Sequence, residues 1–244
     1  MFPPVILFED DTLWLLHKPG GIHTVAHTAE DSAGSIGAHL LEVAPSLSAV
    51  SDRPGDAGLV NRLDFGTSGI LIGAKTRSAW EVLRADIQGG RVSKRYLAVV
   101  EGVLSGIVER ADFIGSPYRR AKKVRVYDSM PGDGRALSAH SIFTSRETNE
   151  PRNVSLVEIL APTARRHQIR AHASRLGHPL LGDALYGSTR SLAELFAPAV
   201  TPEFMLHAYM VELSHPVSGE RVRVIDPPPS FLGEVFTQRS LQVE

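Results

Sequence analysis

Asp64 is the side chain in this sequence best placed to do chemistry. It stands in Asn61-Arg62-Leu63-Asp64, after the apolar pair Leu59-Val60 and before Gly66-Thr67-Ser68-Gly69 and the apolar run Ile70-Leu71-Ile72. A carboxylate at the mouth of two buried strands stays ionised only where a cation and hydrogen-bond donors serve it, because desolvation disfavours the charged form. Arg62, Thr67 and Ser68 are near enough in sequence to do so. Ionised and held in place, such a group acts as a nucleophile or as a general base. An Asp that caps the turn at Gly66 fits the same local sequence, and local sequence alone does not separate the two.

Polyanion recognition is the second chemistry suggested by residue placement. The 244 residues carry 26 Lys and Arg against 27 Asp and Glu, a formal net charge of −1, so bulk charge does not draw this protein to nucleic acid. The average conceals two windows without an acid. Residues 113–127 hold Arg119, Arg120, Lys122, Lys123 and Arg125, and residues 159–182 hold Arg165, Arg166, Arg170 and Arg175 with His167, His172 and His178. One such run is ordinarily a solvated face. Two of them, gathering nine of the 26 basic side chains, point to a groove for a polyanion, and Tyr118 and Tyr127 at the edges of the first offer stacking on bases.

Other routes close. The chain has no cysteine, which excludes disulfide frameworks, zinc ribbons, iron–sulfur clusters and thiol catalysis. Its ten histidines invite a metal site, but His167 and His172 are five apart and fall on different parts of a helix face, so no metal is expected. With 43% hydrophobic, 22% charged and 7% aromatic residues, the chain has the material for a packed core. No stretch approaches the roughly 18 apolar residues of a membrane helix, and the first eleven residues end in acid, so no membrane association and a cytoplasmic location are expected.

The elements that must position these groups follow from periodicity and breakers. Residues 5–8 and 13–16 read as a hairpin, broken after Lys18 by Pro19-Gly20-Gly21. A helix is expected over residues 35–43, stopped by Pro45, and a loop over 49–58. The stretch 59–72 reads as strand, polar turn and second buried strand. Trp80, Leu83 and Ile87 put a helix at 78–88, closed by Gly89-Gly90. Strands are expected at 95–100, 137–145 and 154–160, a helix at 167–176, and a hairpin from 210–213 to 222–225. Strands outnumber helices and mostly follow one another directly, which favours a largely antiparallel α+β domain. On the helix at 167–176, His167, Arg170 and Ser174 share one face, while Ile169, Ala173 and Leu176 share another that packs on the sheet.

Several of these segments together resemble a known family. Asn61-Arg62-Leu63-Asp64 with Thr67-Ser68-Gly69 resembles the Arg-Leu-Asp and Thr-Ser-Gly catalytic motif of the RluA-type pseudouridine synthases. Lys18-Pro19-Gly20 is similar to their early Lys-Pro turn, and Lys94-Arg95-Tyr96-Leu97-Ala98 to the segment bearing their active-site tyrosine. Thr163-Ala164-Arg165-Arg166-His167-Gln168-Ile169-Arg170-Ala171-His172 resembles their third motif, which Leu176-Gly177-His178-Pro179-Leu180-Leu181-Gly182-Asp183 continues, and Leu206-His207-Ala208 resembles a late one. The matches come in the family's order and span about residues 7 to 226.

The resemblance implies a pseudouridine synthase fold: α+β, with a mixed, mostly antiparallel sheet, flanking helices and a central catalytic cleft. It implies a single catalytic domain over residues 1–244 without the N-terminal S4 domain of many relatives. The implied activity is isomerisation of uridine to pseudouridine in rRNA or tRNA, by a monomer needing neither metal nor organic cofactor. Asp64 would attack the ribose or take its proton. Tyr96 would stack on the base and help remove the C5 proton, although a free tyrosine is a poor base at neutral pH. Arg170 would pair with Asp64 and orient it. Arg62, Lys122, Lys123, Arg165, Arg166 and His167 would contact the RNA, from which the uridine must be extruded at a cost of roughly a few kcal/mol. Two positions depart from the family pattern: Asn61 stands where His is usual, and Ala164 where Gly is usual, which matters if that backbone needs positive φ. These departures motivate an alternative, a catalytically silent RNA-binding or ribosome-assembly module on the same fold.

Overall fold

The computed structural model describes residues 4–26, 34–119, 121–192, 203–230 and 232. Arg120 lies outside them. Strands β1 (Val5–Glu9), β2 (Leu13–Lys18), β3 (Ser68–Ala74), β4 (Ser93–Glu101) and β5 (Ile107–Gly115) are followed by β6 (Arg125–Tyr127), β7 (Ala136–Asn149), β8 (Val154–Leu160), β9 (Leu206–Ser214) and β10 (Arg221–Ile225). Helices α1 (Ile36–Val43), α2 (Arg77–Gln88) and α3 (Gln168–Arg175) intervene. The expected α+β class is the one observed. Among the described residues no helix is long and apolar enough to cross a membrane.

Two compact units divide the chain: Met1–Lys94 with Ala208–Pro227, and Arg95–His207 with Pro228–Glu244. In the first, β2 pairs antiparallel with β1 and with β3, and Asp10 accepts from the Thr12 and Leu13 amides to close the β1–β2 turn. β3 is buried along its whole length. Gly69 (φ 114°) allows the strand's start to approach Ala208 on β9, where a Cβ would lie 2.3 Å from the Ala208 carbonyl oxygen. β10 returns antiparallel along β9. Thr76 caps α2 by accepting from the Ala79 amide, and buried Trp80 anchors that helix.

The strand expected just before Asp64 does not form. Leu59 makes only an isolated bridge with Gly73, and from Asn61 the backbone leaves the ladder. The Asn61 side chain supplies the missing bonds, its Oδ1 accepting from the Ile72 amide (2.7 Å) and its Nδ2 donating to the Ile70 carbonyl (3.4 Å). This substitution frees the backbone of residues 61–64 to turn.

In the second unit the strand order is β4-β8-β7-β5-β6, every ladder antiparallel. β5 and β6 were not expected from the sequence. The core gathers Ala98, Val100, Phe143, Val157 and Ile159 from the sheet against Ile169 and Ala173 of α3, with Tyr96 and Leu176 packed at its margin. The apolar face expected of α3 therefore does pack on the sheet.

A polar spine underlies α3. Gln168 donates to the His140 carbonyl and to Ser141 Oγ, and its Oε1 accepts from Thr163 Oγ1 and the Arg165 amide. One turn on, His172 Nδ1 meets the same Ser141 Oγ at 3.0 Å, and its Nε2 lies 3.8 Å from Asp112, which Arg110 holds with two bonds. His172 is fully buried, and burial lowers its pKa from 6.5 to about 4. The folded protein thus keeps it neutral where the unfolded chain would take up a proton. Its contribution to stability is complete above pH 6.5 and is lost as pH falls toward 4, by about 3 kcal/mol over that window. Urea unfolding at pH 7, 5.5 and 4.5 should show this loss, and His172→Gln, which does not titrate, should flatten it; equal acid slopes would contradict the assignment.

Candidate active site

Asp64 opens a tight turn in which the Thr67 amide donates to its carbonyl (3.0 Å), and its side chain is half-exposed. Two supports hold this turn from below. Thr24 Oγ1 both donates to the Leu63 carbonyl (2.8 Å) and accepts from the Leu63 amide (3.0 Å), acting as a piece of strand. Lys18, at the end of β2 and fully buried, donates from Nζ to the carbonyls of Pro19 (2.9 Å), Ile22 (2.7 Å) and Phe65 (3.2 Å). Burial drives its pKa from 10.5 down to about 7, against the pull of the negative charge of Asp64. Three acceptors suit an ammonium, which has three protons to give, better than an amine, which has two. Lys18 was visible in the sequence only as part of a turn. A lysine ending an apolar strand, just before Pro-Gly-Gly, was the signal.

Arg62 lies on the surface of the same turn with its guanidinium on Asp56 (2.7 Å). An exposed pair of this kind is worth about 0–1 kcal/mol, so Asp56 holds Arg62 only weakly.

The second unit assembles the remaining candidates. Tyr96 is half-buried near the start of β4, opposite Ile159 of β8. Beside it Arg95 bonds Glu158, which Arg146 also bonds, so the strand is tied by charge as well as by its ladder. Arg170, on α3, is almost fully buried and grips Asp183 through two bonds, Nε to Oδ2 (2.7 Å) and a terminal nitrogen to Oδ1 (2.9 Å). Its guanidinium also lies over the rings of Phe204 (4.3 Å) and Tyr186 (5.0 Å). Asp183 reaches this position because Leu181 donates to the Val99 carbonyl and the Glu101 amide to that of Pro179, laying the segment along β4. Asp183 is the first acid after the second acid-free window, the signal that could have marked it as the partner of a cation within.

Tyr186 is the other residue the sequence did not single out, and it touches three candidates that the sequence did: His167, Lys123 and Arg170. Its hydroxyl accepts from the buried Val124 amide (2.9 Å) and bonds His167 Nδ1 (3.0 Å). Lys123 Nζ sits 4.8 Å over its ring, and Arg166 donates to the carbonyls of Ala121 and Lys122 nearby in sequence. Arg165 donates to the Ser138 carbonyl. The two arginines thus first secure the protein's own backbone, while the Lys122 and Lys123 side chains are exposed. Beyond Tyr186 opens a groove of about 580 Å³ lined in part by Lys123, Arg125, Ser174 and Arg175.

Two sequence readings change here. His167 is not on the helix: it precedes α3 in the left-handed region (φ 52°), and from there its ring meets Tyr186, the residue that Arg170 and Ser174 also contact. Ala164 has no positive φ, so the replacement of Gly there imposes no backbone strain. Among the described residues no group of three or more His, Asp or Glu side chains is arranged to hold a metal ion.

The model of the RNA pseudouridylate synthase family matches residues 12–175, a span that contains Asp64, Tyr96 and Arg170. The chain is 36% identical over 237 residues to a ribosomal large subunit pseudouridine synthase D of Nitrosomonas europaea, covering 96% of this chain and 64% of that protein. A protein of the same name from Xanthomonas campestris is 34% identical over 243 residues, covering 96% and 69%. This chain therefore spans about two thirds of the length of these relatives. In fold it is similar to human RNA pseudouridylate synthase domain containing 1, with a TM-score of 0.67 at 24% identity over 96% of this chain and 86% of the other. With a family match running through the three candidate groups, and relatives of this identity aligned along nearly its full length, the chain belongs to the RNA pseudouridylate synthase family.

Proposed function

We propose that this protein isomerises uridine to pseudouridine in rRNA or tRNA, with Asp64 as the catalytic carboxylate. The observation that carries this reading is the Asp64 turn: a half-exposed carboxylate on a backbone fixed by Thr24 and Lys18, with a buried cation behind it. In the reaction the bond between ribose C1′ and uracil N1 breaks while Asp64 adds to the ribose or takes a ribose proton. The freed uracil turns and C5 bonds to C1′ as Asp64 leaves the ribose or returns its proton; the C5 proton then leaves, N1 gains one, and Asp64 ends as it began. Every atom and electron pair of the substrate is accounted for in an isomer, so the chemistry calls for neither metal nor organic cofactor, and we read the protein as acting as a cytoplasmic monomer.

Tyr96 stacks on the base and assists removal of the C5 proton. Arg170 is the cation this reading assigns to the catalytic carboxylate, and the bidentate hold of Asp183 with the two flanking rings fixes its guanidinium. Arg62, Lys122, Lys123, Arg165, Arg166 and His167 serve the RNA, by phosphate contact or by shaping the basic surface that makes it.

Tritium release from 5-tritiated uridine in total tRNA and deproteinised rRNA tests the reaction. Wild-type protein should release tritium from at least one pool, and Asp64→Ala should lower turnover by about 10³-fold or more. No release from either pool by folded protein, or equal release by the variant, would overturn the reading. Asp183→Asn should lower stability by about 3 kcal/mol, because it removes the buried negative charge that this guanidinium grips through two bonds. The folded fraction of that variant should lose about tenfold in kcat with a smaller change in KM; a loss of stability with normal kcat would confine Asp183 to a structural role.

A further inference from the structure

Phe65, directly after Asp64, is an exposed ring on a fixed backbone. It is 39% exposed although it belongs to a turn whose other apolar neighbour, Leu63, is buried. Its carbonyl accepts from the Gly21 amide (2.8 Å) and from Lys18 Nζ (3.2 Å), so the residue is held at the surface by its main chain. The His23 ring lies beside it, centroids 4.7 Å apart and planes at 49°. The two segments that carry these rings are tied again by Thr24 and Leu63. Arg62 lies exposed three residues before Phe65.

A lone exposed Phe is unremarkable on a protein surface. Two rings pinned side by side next to a carboxylate, with a surface guanidinium close in sequence, have the composition of a single-strand nucleic-acid site: π faces for bases and a cation for phosphate. Extruding a uridine also leaves the base beside it without one stacking partner. We propose that Phe65 and His23 form a stacking shelf for the base adjacent to the target uridine, which makes Phe65 a determinant of substrate recognition. This rests on the pseudouridine synthase reading of Asp64 and adds a binding subsite to it. A purine, with the larger face, is the neighbour the shelf favours.

Kinetics on the tritiated RNA pool that the wild-type protein modifies, together with fluorescence of Phe65→Trp, test the shelf. Phe65→Leu, which keeps an apolar side chain and removes the π face, should raise KM about tenfold while kcat falls less than threefold. Phe65→Tyr and Phe65→Trp should restore KM to within about twofold, and the emission of the new tryptophan should be quenched by a short single-stranded RNA. Unchanged KM in Phe65→Leu, or failure of both aromatic replacements to restore it, would overturn the proposal. Absence of tritium release by the wild-type protein would overturn the reaction instead. The quench then decides the shelf alone, and no quench by RNA counts against it.

Discussion

The bidentate pair between Arg170 and Asp183 is the interaction around which the second unit is arranged. A guanidinium taken out of water is costly unless its charge and its donors are answered in place. Asp183 answers them from a segment laid along β4, and Tyr186 and Phe204 lend ring faces to the same cation. α3 is thereby set in one orientation, since its opposite side is bound by Gln168 and His172 to β7. Tyr186 extends the constraint outward: it holds Val124 and His167 by its hydroxyl and Lys123 by its ring, so the basic surface and the buried arginine share one support.

The first unit solves a similar problem with the other kind of cation. Carbonyls from its own turn and from Phe65 take the protons of the Lys18 ammonium. The result is a floor beneath Asp64 made of backbone. Asn61 contributes by completing the edge of β3 with its side chain, which lets the main chain depart before Asp64. Asn61 therefore has a structural role of its own, separate from any loss of activity.

Much of this was legible in the sequence where a pattern is local. The β1–β2 hairpin, α2 and β8 show apolar periodicities bounded by breakers, and each formed within a residue or two of expectation. β5 was not legible because its buried side carries Arg110 and Asp112, charges neutralised by each other, so no apolar alternation marks the strand. β6 has three residues and exists only as a partner to β5. Residues 59–63 carried a strand-like pattern that Asn61 overrode with side-chain bonds. Asp64, Tyr96 and Arg170 were nominated through motif order, whereas the supports at Lys18, Asp183 and Tyr186 depend on partners as much as 47 and 62 residues away, which spacing does not display.

Pseudouridine maps of rRNA and tRNA from cells lacking this protein, complemented with wild type or with Asp64→Ala, address the central assignment most directly. At least one uridine should lose its modification without the protein, regain it with the wild type and remain unmodified with the variant. Identical maps with and without the protein, or restoration by Asp64→Ala, would contradict a pseudouridine synthase that works through that carboxylate.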